Sequence, residues 1–189
     1  GVAAWKSTPP TGEVRPEARL LEAIGPRTRV LTVSWVRFQD GLRLDLATLA
    51  AGCADRGVVL VVDGIQGAGT LPVDLRGIAA FASGVHKGLL APQGAGLLWT
   101  SPALRERLRP LGSWLSVEGG SDFRRPNTDF TRSWLPDGRR LEQGGPGGLL
   151  LVPLTASLRL INETGPELIA AHVAGLQRAL LSALADGPW

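Results

Sequence analysis

An uninterrupted apolar run at residues 58–62, which ends at Asp63, is the feature that most constrains the fold of this 189-residue chain. Residues 58–63 read Val-Val-Leu-Val-Val-Asp, so the strand that they predict is apolar on both faces. A strand of this kind is typical of a parallel sheet that is covered on both sides. The run therefore predicts an α/β fold, with Asp63 at the carboxyl end of a buried strand.

Strand-like and helix-like segments alternate around this run. Further strands are predicted at residues 2–5, 29–34, 78–83 and 95–99. Helices are predicted to begin at Pro16, to run from an N-cap at Asp45 to Arg56, and to cover residues 102–108, 149–163 and the stretch from about 166 onward. The alternation indicates a single domain over residues 1–189, with a mostly parallel sheet flanked by helices.

Two segments near the carboxyl end carry further expectations. Residues 112–148 are rich in Gly, Pro, Trp and Arg and predict a long loop, which is usually functional or part of an interface. The last helix carries an apolar stripe at helical spacing. The stripe consists of Ile169, Val173, Leu176, Leu180 and Leu184.

Composition narrows the function classes. The hydrophobic fraction of 44% and the charged fraction of 20% are typical of a soluble globular domain. The net charge is +3, but no run of arginines exceeds two residues, so nucleic-acid binding is not expected. No apolar run is expected to span a membrane and no leader is recognised, so a cytoplasmic location is expected. Cys53 is the single cysteine and is predicted to lie in the core; no metal site is expected.

Lysine is rare in this chain. Of 20 basic residues only Lys6 and Lys87 are lysines. Lys87 nevertheless lies in the apolar, glycine-rich stretch 79–90, directly after His86. A primary amine in an apolar setting suggests chemistry that a guanidinium cannot perform, above all Schiff-base formation.

Asp63 and Gln66 follow the buried strand in a glycine-rich turn. Ligands of open α/β sheets bind beyond the carboxyl ends of strands. Taken alone, Asp63 could simply cap the loop after its strand, and the glycines do not form a dinucleotide-binding pattern. Together with Lys87 beyond the next strand, the carboxylate suits pyridoxal 5′-phosphate (PLP), since the amine forms an imine with the aldehyde and the acid keeps the pyridine nitrogen protonated.

The chain resembles the class V aminotransferase family of fold-type I PLP enzymes, which includes cysteine desulfurases and isopenicillin N epimerase-like proteins. The resemblance is carried in order by residues 33–41, 61–75, 86–96 and 140–144. It implies that the chain is the central part of the PLP-binding large domain, without the family's N-terminal segment and C-terminal small domain.

The resemblance also implies roles for individual residues. Lys87 would carry the internal aldimine, Asp63 would pair with the pyridinium nitrogen, and Gln66 would bind the phenolic oxygen of the ring. His86 would lie beside the cofactor and reach its phosphate. The loop 140–147 would approach the active site of a partner subunit in a homodimer.

Several positions depart from the family pattern. Gly84 stands where many members have a phosphate-binding Ser or Thr, and Phe38 stands where desulfurases tend to carry Asn. The stretch 144–147 lacks a Thr that would reach the partner's phosphate. Trp35 could line the cofactor cavity or serve packing.

Two functions are expected on these grounds. The first is a PLP-dependent transformation of an amino acid, of the aminotransferase, epimerase or lyase type. The alternative is a catalytically inactive, truncated or decayed member that acts as a structural or dimerisation module.

Overall fold

The structure is a computed structural model that describes residues 15–109, 113–126, 131–145 and 147–185. Its strands are β1 (Val30–Ser34), β2 (Val59–Asp63), β3 (Ala80–Gly84) and β4 (Gly96–Thr100). Its α-helices are α1 (Pro16–Glu22), α2 (Leu46–Asp55), α3 (Pro102–Arg107), α4 (Gly148–Thr164) and α5 (Pro166–Ala185). Short 3-10 helices cover Trp114–Ser116 and Gly138–Leu141. The predicted strand at residues 2–5 lies outside the described residues.

The four strands form one sheet in the order β1-β2-β3-β4. The first three are parallel and β4 is antiparallel to β3, so the predicted mostly parallel sheet is confirmed. The apolar run that predicts β2 is the centre of the core, with Leu60 and Val62 at 1% and 0% exposure. Because β1, β2 and β3 run in the same direction, their carboxyl ends meet at one edge of the sheet.

Helices α2 and α4 supply much of the remaining core. Leu49 and Cys53 of α2 are buried, as are Leu154 and Ile161 of α4. Cys53 is thus the core residue that the sequence predicts, and burial raises the pKa of its thiol.

The apolar stripe of α5 differs from expectation. Ile169 packs partly against the core, but Leu176, Leu180 and Leu184 are exposed. Within the described residues, no element covers this end of the helix. A helical stripe identifies an apolar face but does not say which surface will cover it.

Helix α5 also corrects the expectation that no apolar run is long enough to span a membrane. By length and composition it could cross one, with a mean hydropathy of 1.4 in its most apolar window. One such helix is a weak indication, and Glu167, His172 and Arg178 interrupt this one with polar groups.

Within its described residues, the loop predicted at residues 112–148 is held together by hydrogen bonds between distant segments. Val117 and Trp134 form an isolated antiparallel bridge, and the Ser116 hydroxyl donates to the carbonyl of Glu142 at 3.1 Å. Ser116 is fully buried. These contacts hold the segment that carries Arg140 and Glu142.

Helix α2 begins at a side-chain cap. Asp45 Oδ1 accepts from the backbone N–H groups of Ala47 at 3.0 Å and Thr48 at 3.2 Å, while Oδ2 accepts from the Thr48 hydroxyl at 2.7 Å. The Thr48 hydroxyl is the largest cause that holds the pKa of Asp45 below its ordinary value of 3.8. The cap therefore stabilises the folded state most when Asp45 is ionised.

We expect Asp45→Ala to lower the free energy of unfolding by about 1 kcal/mol at neutral pH, because two helix N–H groups lose their acceptor. Asp45→Asn keeps an acceptor without the charge and should lose less. Urea titrations from neutral pH into acid would measure both. The lowered pKa means that the advantage of the wild-type carboxylate over the Asp45→Asn variant is present above the ordinary pKa and disappears as the pH falls through the lowered one. A constant difference across that range would contradict this account.

Candidate functional site

Asp63 lies at the carboxyl edge of the sheet, between β1 and β3. It is in register with Ser34 of β1 and with Ala82 of β3. Its backbone carbonyl accepts from Trp35 N–H at 2.8 Å, and the N–H of Gly64 donates to the carbonyl of Ala82 at 2.8 Å. The strand end is therefore fixed on both sides.

The carboxylate of Asp63 accepts two hydrogen bonds. Oδ1 accepts from the backbone N–H of Ile65 at 3.0 Å, and Oδ2 accepts from the hydroxyl of Ser34 at 3.4 Å. Asp63 itself is half-buried. Its acidic group is thus held at the rim of the sheet, partly open to solvent.

Gln66 follows in a tight, helix-like turn. The carbonyl of Gly64 accepts from the N–H groups of Gly67 at 2.9 Å and Ala68 at 2.8 Å. Gln66 is half-buried, and the Thr70 hydroxyl closes the turn by donating to the backbone carbonyl of Gly67 at 3.0 Å, with that of Gln66 at 3.5 Å. This turn sets Gln66 three residues beyond Asp63, at the same edge.

Two aromatic rings form a floor beneath this turn. Trp35 is 5% exposed and meets Phe81 edge-on, with ring centroids 6.1 Å apart. A Cβ at Gly67 would lie 2.5 Å from the Trp35 ring, and one at Gly64 would lie 1.9 Å from the Phe81 ring. Both positions must therefore be glycine for the turn to rest on the rings, and Trp35 has a packing role.

Lys87 lies in the loop that joins β3 to β4. The N–H of Leu90 donates to the carbonyl of Lys87 at 2.9 Å, and the N–H of Ala91 donates to the carbonyl of Val85 at 3.0 Å. Leu90 has a φ of 56°, a left-handed conformation that costs a side-chain-bearing residue on the order of 1 kcal/mol or more. The loop is thus tightly closed by its own backbone.

The loop after β2 and the loop that carries Lys87 touch through their backbones. A Cβ at Gly69 would lie 2.1 Å from the carbonyl oxygen of Gly88, and one at Gly88 would lie 2.4 Å from the carbonyl oxygen of Ala68. Two glycines therefore permit a close backbone approach between the segments of Gln66 and Lys87.

His86 lies over Gly84, at the end of β3. A Cβ at Gly84 would meet the imidazole at 3.0 Å and the side chain of Ile65 at 3.0 Å. The space beside position 84, where the family pattern has a hydroxyl, is thus bordered by His86 and Ile65.

Arg140 and Glu142 belong to the segment of the 3-10 helix Gly138–Leu141, which contacts β4. Arg140 follows Arg139, which pairs with Asp137 and holds the pKa of that carboxyl at about 2. The Nε of Arg140 is buried without a hydrogen-bond partner in the described structure.

The four residues singled out in the sequence therefore lie on two loops that touch each other. Asp63 ends β2 and Gln66 lies on the loop that follows it, while His86 and Lys87 are on the second loop. Lys87 itself is exposed, although Val85 and Leu89, two residues away on either side, are buried.

Sequence reasoning missed Ser34 and Ile65, which contact the carboxylate of Asp63. The sequence contains a signal for Ser34, since it ends the predicted strand just as Asp63 ends the next one. The pairing itself depends on strand register, which the sequence does not display.

The functional groups of these side chains are of the types that PLP requires. A primary amine, a carboxylate and an amide lie at one sheet edge, where α/β folds bind ligands. The set offers less to a phosphate, because Gly84 has no hydroxyl, although the imidazole of His86 borders that position. Among the described residues no cluster of three potential metal ligands occurs.

Comparison with known proteins gives the following likenesses. Isopenicillin N epimerase of Streptomyces clavuligerus is 34% identical over 176 residues, which cover 90% of this chain and 44% of that protein. A cysteine desulfurase of Klebsiella pneumoniae is 30% identical over 165 residues, which cover 86% of this chain and 39% of that protein. A solved C-DES mutant with glycine covalently linked to the PLP cofactor superposes with a TM-score of 0.82 at 26% identity, covering 93% of this chain and 46% of that one.

The chain spans 39–44% of the length of these two curated relatives. The likeness to the C-DES structure confirms the predicted α/β, fold-type I class. The family of class V aminotransferases matches residues 4–188, almost the whole chain. By this match, the chain belongs to the class V aminotransferase family.

Proposed function

We propose that this chain holds PLP at the carboxyl edge of its sheet and that the whole protein transforms an amino acid, by an aminotransferase, epimerase or lyase reaction. The observation that carries this proposal is the backbone contact between Gly69 and Gly88. It brings the loop of Lys87 against the loop of Asp63 and Gln66. The homodimer and the cytoplasmic location expected from the sequence belong to the same proposal.

Each side chain has a separate task. Lys87 would attach the cofactor through its amine, which its exposure leaves accessible to an aldehyde. Asp63 would bind the pyridine nitrogen, Gln66 the phenolic oxygen and His86 the phosphate. When bound, PLP supplies an electron sink for the bonds at the α-carbon of an amino acid.

The surroundings of Asp63 suit its task. Its carboxylate is oriented by the N–H of Ile65, and its backbone is held in the sheet on both sides. The aromatic floor of Trp35 and Phe81 supports the turn that follows. A group held in this way needs little rearrangement to meet a ligand, which is what preorganised sites require.

The inactive-module alternative is favoured by one observation. Gly84 lacks the hydroxyl that the family pattern places on the cofactor phosphate. Cofactor trapping separates the two functions, because a structural module has no reason to react selectively at Lys87.

We expect PLP mixed with the chain and then reduced with borohydride to label Lys87. Mass spectrometry should find a pyridoxyl adduct at Lys87 in preference to Lys6 and the N-terminal amine. Lys87→Arg should abolish that adduct while keeping the positive charge, because a guanidinium does not form the imine under these conditions. Labelling spread equally over the three amines would favour the inactive module.

The contact between the two loops can be tested separately. Gly69→Ala places a Cβ against the carbonyl of Gly88 and should lower the yield of the Lys87 adduct several-fold. Gly57→Ala is the matched control, because Gly57 also has a positive φ of 63° but has nothing within 4 Å of an added Cβ. Both changes should destabilise the fold by ~1–2 kcal/mol through backbone strain. Equal trapping by the two variants would show that the loop contact does not organise the site.

A further inference from the structure

Ser34 and Asp63 form a cross-strand pair at the end of the parallel ladder. Their Cα atoms are register partners on β1 and β2. The hydroxyl of Ser34 donates to Oδ2 of Asp63 at 3.4 Å, while the other carboxylate oxygen accepts from Ile65 N–H at 3.0 Å. The carboxylate is therefore held at both oxygens, by one side-chain donor and one backbone donor.

The position of this hydrogen bond argues against a role in folding. Ser34 is exposed and Asp63 is half-buried, so water can replace the bond when either partner is removed. An exposed hydrogen bond contributes little net stability for that reason. What it does supply is orientation, because a carboxylate held at one oxygen only is free to turn about its terminal torsion.

We infer that Ser34 is a positioning residue that orients the carboxylate of Asp63 toward the pyridine nitrogen of the cofactor. This inference rests on the proposed function and adds a residue to it. Ser34 touches Asp63 and acts through it. Its removal should weaken the recognition of the ring nitrogen and leave the other cofactor contacts in place.

The test compares two ligands that differ at one atom. PLP carries the pyridine nitrogen, and 1-deaza-pyridoxal 5′-phosphate has a carbon there, so only PLP can bond to Asp63 at that atom. Dissociation constants for both, measured by absorbance titration of the full chain, isolate the contribution of the ring nitrogen as a ratio. Far-ultraviolet circular dichroism of each variant checks that the fold is kept.

Three variants separate the effect of the Ser34 hydroxyl from the effect of side-chain shape. Ser34→Val and Ser34→Thr are isosteric with each other and differ in the hydroxyl, and both suit a strand. Thr32→Val is the matched control, because Thr32 is exposed two residues earlier on the same face of β1. It loses a hydroxyl that does not contact Asp63 in the described structure.

We expect Ser34→Val to weaken PLP binding by about three- to tenfold, the range of one hydrogen bond, and to leave the deaza analogue unchanged. Ser34→Thr and Thr32→Val should keep the wild-type ratio. Equal weakening of both ligands, or no change in either, would overturn the inference. A wild-type chain that binds both ligands equally would contradict the role of Asp63 itself, and that failure is visible before any Ser34 variant is compared.

Discussion

The site depends on one close approach between two backbones. The sheet register brings the ends of β2 and β3 to one edge, but Lys87 lies three residues beyond the last residue of β3. Strand pairing alone cannot place a side chain at that distance. The contact of Ala68 and Gly69 with Gly88 holds the two loops against each other, because the absence of a Cβ at both glycines lets carbonyl oxygens approach where a side chain would collide. A chain with alanine at either position would keep its sheet and lose the relation between its two loops.

The glycines of this region serve different physical purposes. Gly69 has a φ of 85° and also faces a carbonyl oxygen, so it needs both conformational freedom and space. Gly64 and Gly67 need only space, because the rings of Phe81 and Trp35 lie where their side chains would be. The aromatic pair thus determines where the turn lies above the sheet. The position of Gln66 follows, because Gln66 is part of this turn. The packing of the two rings in the core therefore determines the geometry of the turn, because neither Gly64 nor Gly67 has a Cβ that would hold the turn away from them.

Local sequence patterns predict some of this arrangement, whereas the rest depends on tertiary structure. Continuous apolar runs and an Asp at a helix start predict β2 and α2 because these signals depend on nearby residues alone. The exposure of Lys87 does not follow from its apolar neighbours, since a turn can bury Val85 and Leu89 while its tip projects outward. The exposed leucines of α5 are a second example. An apolar stripe predicts the apolar face of a helix but not which other element, if any, covers that face. The bond from Ser34 to Asp63 needs the register of two strands that are 29 residues apart in the chain.

The absence of a hydroxyl at Gly84 has to be considered together with the side chains around that position. Gly84 lacks a hydroxyl, yet the space beside it is bordered by the imidazole of His86 and the side chain of Ile65 at contact distance. A serine at position 84 would therefore need one of these neighbours to move by a few tenths of an ångström. Ile65 also supplies the N–H that holds Asp63, so a shift of its backbone would be felt at the carboxylate. The side chain that fits at position 84 therefore depends on where His86 and Ile65 stand.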